Sequence, residues 1–218
     1  MDYITQEITK NALNKMKLFH DDLTNIFSKH DMNILENSGR RNMLLSQAQE
    51  KFFAQELGKV WPNVEHDGRT GQPDIVIGSL GKELECKLTS PNKRGALQLQ
   101  TDYDTLDKKE SLDYLYVIAD HGFNKFCVLH FNNLTIDDFF NPSPGSKGKA
   151  RMIKHVAMDK CTVFYGKVVD KNVENIENLG KKYDKLTARA IKTKKKIEDQ
   201  LEFWAYQPTQ YRFELEEL

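Results

Sequence analysis

Asp74, Glu85 and Lys87 are the residues of this chain whose types and spacing agree on a chemistry. Asp74 opens the apolar run Ile75-Val76-Ile77, and Gly78-Ser79-Leu80-Gly81 supplies turn residues. Glu83 to Leu88 then alternates charged with apolar positions, and the whole reads as two strands of a hairpin. Strand side chains two apart share a face. Glu83, Glu85 and Lys87 therefore line up on one side, while Leu84, Cys86 and Leu88 turn towards a core. The turn carries Asp74 alongside the second strand, so carboxylates from two strands converge beside an ammonium. A hard divalent cation such as magnesium takes oxygen ligands, commonly one or two carboxylates with water and substrate phosphate completing the shell, so Asp74 and Glu85 suffice as anchors. A lysine two residues beyond the metal-binding glutamate can orient or help deprotonate the attacking water and offset charge developing on a phosphorane. That chemistry is phosphodiester hydrolysis.

At Pro73-Asp74 and Glu85-Cys86-Lys87 the chain resembles the PD-(D/E)xK nuclease superfamily, which includes type II restriction endonucleases, junction resolvases and repair nucleases. The resemblance extends from about Arg41 to Phe131. It implies that Asp74 and Glu85 bind magnesium, that the carbonyl of Cys86 completes the inner shell, and that Lys87 serves the nucleophilic water. The plain alternative is an exposed amphipathic hairpin with no metal, and the strand context of the letters tells against it. Glu83 shares the face, but only Glu85 has a lysine two positions on.

These residues need elements to hold them. Arg40 to Lys59 reads as a helix with Leu45, Ala48, Phe52, Phe53 and Leu57 as a stripe that can lie on the sheet. Glu50 sits at the edge of that stripe and can project past the sheet's end. In many members of the superfamily a glutamate on the helix before the aspartate strand contributes to the site, and Glu50 matches that pattern best. Glu56, nearer the centre of the stripe, is its rival, because a buried carboxylate needs a metal or cation as partner. Trp61 to Gly71 reads as a loop broken by Pro62, Gly68 and Gly71, where Arg69 is placed to meet a phosphate with paired donors.

Beyond Lys87 the chain leaves its strand through polar and basic residues. Lys93 and Arg94 are candidates for phosphate contact, while Asn92, Gln98 and Gln100 carry the amides that read adenine edges and Arg94 could read guanine. A solvated loop running into a helix from about Gln98 to Lys109 is the bland reading of the same residues. Tyr114 to Ala119 and Lys125 to Phe131 are two further strands. The expected architecture is α/β: a three-layer α/β/α restriction-endonuclease-like core with a mixed sheet, N-terminal helices and a long C-terminal helix.

With 218 residues, 39% hydrophobic and 29% charged, the chain can bury a substantial core, and it is expected to form one domain. Residues 1–36 read as an N-terminal helical segment, 37–140 as the catalytic core, and 141–218 as a basic loop, a strand at Thr162 to Val169 and the C-terminal helix. The absence of an apolar run long enough to span a bilayer, and of a visible leader, leads to an expectation of no membrane and a cytoplasmic location. Cys86, Cys127 and Cys161 are too widely spaced for a zinc motif and read as buried thiols. Net charge is zero, which argues neither for nor against nucleic acid, because carboxylates of a metal site can mask a basic surface.

Asn141 to Arg151 has the composition of a flexible basic loop that orders on a phosphate backbone. The C-terminal helix repeats Ile176, Leu179, Tyr183, Leu186, Ala190, Ile197, Leu201 and Trp204 mostly at three- and four-residue steps. That seam can pack on its own domain or pair with a second copy.

The expectation is a magnesium-dependent endonuclease acting on double-stranded DNA, most like a type II restriction enzyme, with Asp74, Glu85 and Lys87 as catalytic centre and Glu50 assisting. A homodimer on a palindromic site is the expected working form, and a companion methyltransferase would not contact this chain. A junction resolvase or repair nuclease shares the centre and would be told apart by its failure to cut a linear duplex. A non-catalytic DNA-binding module would show no magnesium-stimulated cleavage.

Overall fold

The computed structural model describes residues 2–66, 72–186, 191–207 and 211–218, without the side chains of 172–173, 183–186 and 191–194. The chain divides into two compact units, Met1–Lys167 with Leu215–Leu218, and Val168–Glu214, where the sequence suggests one domain.

The larger unit opens with α1 (Gln6–Lys29), a single long helix whose N-cap Thr5 accepts the Ile8 N–H at 3.2 Å. Ile8, Ala12, Leu13 and Met16 recur at helical spacing and are all buried. Helix α2 (Ser38–Gly58) is capped by Asn37, whose side chain accepts the Arg40 N–H at 3.1 Å, and begins two residues before the expected Arg40. Its face of Leu45, Ala48, Phe53 and Leu57 is buried as the stripe predicts. Val64–His66 forms β1, an edge strand where the sequence suggests an irregular loop. The hairpin follows as read: β2 (Ile75–Ile77), a 3₁₀ turn closed by Gly81 at φ 60°, and β3 (Lys82–Thr89).

The helix expected from Gln98 begins later. Gln100–Asp102 is a strand, β4, and Asp102 caps α3 (Tyr103–Lys109) by accepting the Thr105 N–H at 3.0 Å. Strands β5 (Leu112–Ala119) and β6 (Lys125–Leu134) extend those expected at Tyr114 and Lys125. Lys149–Arg151, the end of the supposed flexible loop, is β7 and pairs antiparallel with β4. Helix α4 (Lys154–Ala157) and strand β8 (Cys161–Tyr165) complete the run.

The strand expected at Thr162 to Val169 is broken at Gly166, whose φ of 76° ends β8 and admits β9 (Lys167–Asp170). In the smaller unit the expected single long helix is two, α5 (Lys171–Leu186) and α6 (Ile191–Ala205), packed on each other, with β10 (Tyr211–Glu214) paired to β9. Ala190 lies outside the described residues.

Glu216–Glu217 returns to the larger unit as β11. The sheet there runs β1-β2-β3-β5-β6, with β8 and β11 sharing the far edge of β6. It is mixed: β3 and β5 are parallel, and the other pairs are antiparallel. The protein is therefore α/β with a mixed sheet. Leu84, Cys86, Leu115 and Val117 face α1 and α2 and join their apolar residues in one core, each fully buried leucine or phenylalanine contributing about 1.5–3 kcal/mol. Tyr114 and Tyr116 alternate to the opposite face, where the Tyr116 hydroxyl donates to the Gln100 carbonyl at 2.9 Å. The Tyr114 hydroxyl shares a hydrogen bond with that of Thr101 at 2.5 Å. Buried His130 is structural, with Nε2 at 3.1 Å from the Tyr3 hydroxyl, which donates to Asp113 at 3.0 Å. Among the described residues no helix is long and apolar enough to cross a membrane.

Candidate functional site

The site forms where a strand ends. β2 pairs with β3 as far as Ile75 opposite Leu84, so from Cys86 onward that edge of β3 has lost its neighbour. The Cys86 N–H would be left unsatisfied there, at the cost of a buried unpaired donor. Asp74, one residue before β2, takes it at 2.7 Å through Oδ2. N–H and C=O of one strand residue lie on the same edge, so the Cys86 carbonyl faces the space beside Asp74 too. Flanking Cys86, Glu85 and Lys87 sit on the other face, and the Lys87 ammonium is paired with the Glu85 carboxylate. The Cys86 thiol is buried in the core, and burial, followed by the nearby carboxylates, pushes its pKa well up, so it is no nucleophile.

Helix α2 lies across β3 and brings Glu50 to the same place. Glu50, Asp74, Cys86 and Lys87 line a cleft of about 550 Å³, with Asn42, Met43 and Ser46 from α2 on one wall and Gln100 and Lys149 on the other. Burial, then repulsion by Asp74 and Glu85, pushes Glu50 from its usual 4.5 to about 7. Burial and Glu85 likewise push Asp74 from 3.8 to about 6, against the pull of the Cys86 N–H and Lys87. Burial alone would lower Lys87, but the charge and hydrogen bond of Glu85 leave it above its usual value.

Acids that resist ionising together lack positive charge. Asp74 and Glu85 oxygens with a strand-edge carbonyl are the donor chemistry of a hard divalent cation that keeps waters in its shell. Among the described residues no three His, Cys, Asp or Glu side chains form a ready-made metal cage. The fit rests on Asp74 and Glu85, with Glu50 as their electrostatic neighbour.

The rivals are placed elsewhere. Glu56, 2% exposed, is held by Lys15 of α1 and Lys59, both at 2.7 Å, and does not line the cleft. Glu83 is bound by Lys109 of α3 at 2.8 Å. The Asn92 side chain accepts the N–H groups of Arg94 and Ala96, at 2.9 and 3.0 Å, and so folds its own turn. Lys93 and Arg94 are exposed at that turn and line no part of the cleft. Gln100 lines the cleft; Gln98, which accepts from it at 3.2 Å, lines an adjoining cavity of about 240 Å³. Arg69 lies outside the described residues.

Two residues take their places through tertiary pairing: Lys149, read as part of the basic loop from Asn141 to Arg151, and Arg41, which the sequence reading gave no role. Lys149 reaches the cleft only because β7 pairs with β4. Arg41, fully buried, donates to the Asp120 carbonyl at 3.1 Å and to the Ser90 hydroxyl at 2.8 Å, and its guanidinium lies 5.0 Å from the Phe123 ring centre. Because Arg41 lies in the first turn of α2 and Ser90 follows the end of β3, this clamp ties the walls carrying Glu50 and Lys87 to each other.

No protein-family model matches this chain, and neither a curated protein nor a solved structure matches it.

Proposed function

We propose that this protein is a magnesium-dependent endonuclease that hydrolyses phosphodiester bonds in double-stranded DNA, with a restriction-endonuclease-like core of the PD-(D/E)xK type. One observation carries the reading: Asp74 is hydrogen-bonded at a free strand edge to Cys86, between Glu85 and Lys87, in a cleft that also receives Glu50.

Asp74 and Glu85, with the Cys86 carbonyl, would hold the ion, and Glu50 stands beside them. When bound, magnesium supplies a Lewis acid for the phosphate and a more acidic water. Cys86 fixes one Asp74 oxygen through its N–H and leaves the other for the ion. Lys87, steadied by Glu85, donates a hydrogen bond to the attacking water and stands against the charge that gathers on the phosphorane. Glu50 adds negative charge that sharpens the preference for a divalent cation over a monovalent one. The open cleft admits an extended polymer.

One such centre cuts one strand, so a two-fold dimer on a palindromic site belongs to this reading, with sedimentation of the free and DNA-bound protein as its check. Incubation with phage genomic DNA and magnesium, followed by sequencing of the fragment ends, tests the function. Ends sharing one short sequence support a restriction-type enzyme, and cutting confined to branched substrates would replace it with a resolvase.

A further inference from the structure

Among the described residues the cleft holds two cations with opposite circumstances. Lys87 is committed to Glu85, whereas Lys149, on the facing wall, is exposed and has no ion-pair partner among the described residues. Its place is built by the fold. Thr101 opposite Ala150 is the buried pair at the centre of the β4–β7 ribbon, so Gln100, opposite Arg151, and Asp102, opposite Lys149, fall on its other face. Asp102 is already engaged, capping α3 through Oδ1 at 3.0 Å from the Thr105 N–H. Lys149, Gln100, Lys87 and Thr89 line both the cleft and the adjoining cavity of about 240 Å³, which also holds Gln98 and Asp102. The two spaces are thus successive stations along one wall, with Lys149 at the boundary.

Resting on the nuclease reading, we propose that Lys149, assisted by the Gln100 amide, grips the phosphate next to the scissile one, and that the DNA strand leaves the centre over the β4–β7 ribbon. Phosphates along a strand are successive, so a strand held at Asp74 and Glu85 must place its next charge a short step away. The first station gathers Glu50 and Asp74 beside the Glu85–Lys87 pair, and the second sets the Lys149 ammonium against Asp102, whose Oδ1 is held by the start of α3. An amine on a strand, beside an amide, suits a backbone phosphate held without regard to sequence.

The test is fluorescence anisotropy of a fluorescein-labelled DNA duplex across a salt series, with calcium replacing magnesium, for wild type, Lys149→Ala and Lys149→Arg. Lys149→Ala should weaken binding about tenfold. Its slope of log affinity against log salt should be shallower by about 0.9, the loss of one phosphate contact. Lys149→Arg should restore both. Unchanged affinity and slope in Lys149→Ala would overturn the inference while leaving the nuclease reading intact if magnesium still drives cleavage by the wild type. The expected losses in a protein that never cleaves would uphold the phosphate grip and sink the nuclease reading instead. A wild type that binds no duplex would sink both.

Discussion

Asp74 meets the backbone N–H of Cys86 at 2.7 Å at the point where β2 no longer covers β3. Shortening one strand of a hairpin exposes a donor, and a carboxylate from the residue before that strand fills the gap. The same step leaves the Cys86 carbonyl open and sets Asp74 beside Glu85 and Glu50. The crowding of these acids is what the protein must offset, and it makes several outcomes measurable.

The first concerns pH in the metal-free protein. Glu50 rises from 4.5 to about 7 and Asp74 from 3.8 to about 6, first because of burial and then because of neighbouring acids. A carboxyl with a raised native pKa keeps its proton longer when folded than when unfolded. Between the two values the native state binds more protons, and stability falls as pH rises. In chelator, stability should therefore drop from about pH 4 to 7. Glu50→Gln should remove part of that slope and be more stable than wild type at pH 8 by about 1 kcal/mol, raising Tm by about 2–4 °C. Thermal melts across pH check this, and a Glu50→Gln protein less stable than wild type at pH 8 would contradict it.

Magnesium should reverse the effect. It should raise the wild-type Tm at pH 8 in a concentration-dependent way, less so at pH 5 where Asp74 holds its proton, and not at all in Asp74→Asn. Melts in a magnesium series, with and without chelator, read this directly.

Glu56 separates structure from chemistry. Desolvation would raise it, but the hydrogen bonds and charges of Lys15 and Lys59 win and lower it, so its contribution to stability is present above pH 4.5 and is lost as pH falls through its depressed native value. Glu56→Gln should cost about 1–3 kcal/mol at pH 7 and leave cleavage at the wild-type rate. Glu50→Gln should cut the rate with no such loss. Urea denaturation beside single-turnover cleavage distinguishes the two residues.

The hairpin, the Glu85 and Lys87 face, the α2 stripe and the central strands were legible because each is written in local periodicity. Glu50 against Glu56 was not. The two lie six residues apart on one helix, and what separates them is Lys15, contributed by a different helix. Lys149 was read within a basic loop suited to a phosphate backbone, but its place at the cleft was hidden because β4 and β7 are three residues each, far apart in sequence, and neither shows alternation without the other. Arg41 gave no signal, since a buried arginine looks like any helix-surface arginine until Asp120, His121 and Ser90 are seen around it. The seam from Ile176 to Trp204 read as one helix because two helices packed together repeat at nearly the same period as one.

The Arg41 clamp predicts a large structural effect at a distance from the acids. Arg41→Met would strand the His121 carbonyl and the Asn42 side-chain carbonyl and take one of two donors from the Asp120 carbonyl and the Ser90 hydroxyl, and should cost at least about 2 kcal/mol. Chemical denaturation with a single transition would measure it, and a loss within experimental error would show that water replaces the guanidinium.

Lys87→Ala should leave duplex binding in calcium nearly unchanged while lowering single-turnover cleavage about a hundredfold or more. Near-wild-type cleavage would assign the water to another group.

The most direct measurement is magnesium-dependent cleavage of duplex DNA by Asp74→Asn beside wild type. Asparagine keeps a carbonyl oxygen for the Cys86 N–H and removes only the charge, so a folded variant isolates the metal ligand from the strand-edge bond. The account predicts that wild type cuts with magnesium and not with chelator, and that folded Asp74→Asn binds the duplex without cutting it. Cleavage by Asp74→Asn at a rate near that of wild type would contradict the account.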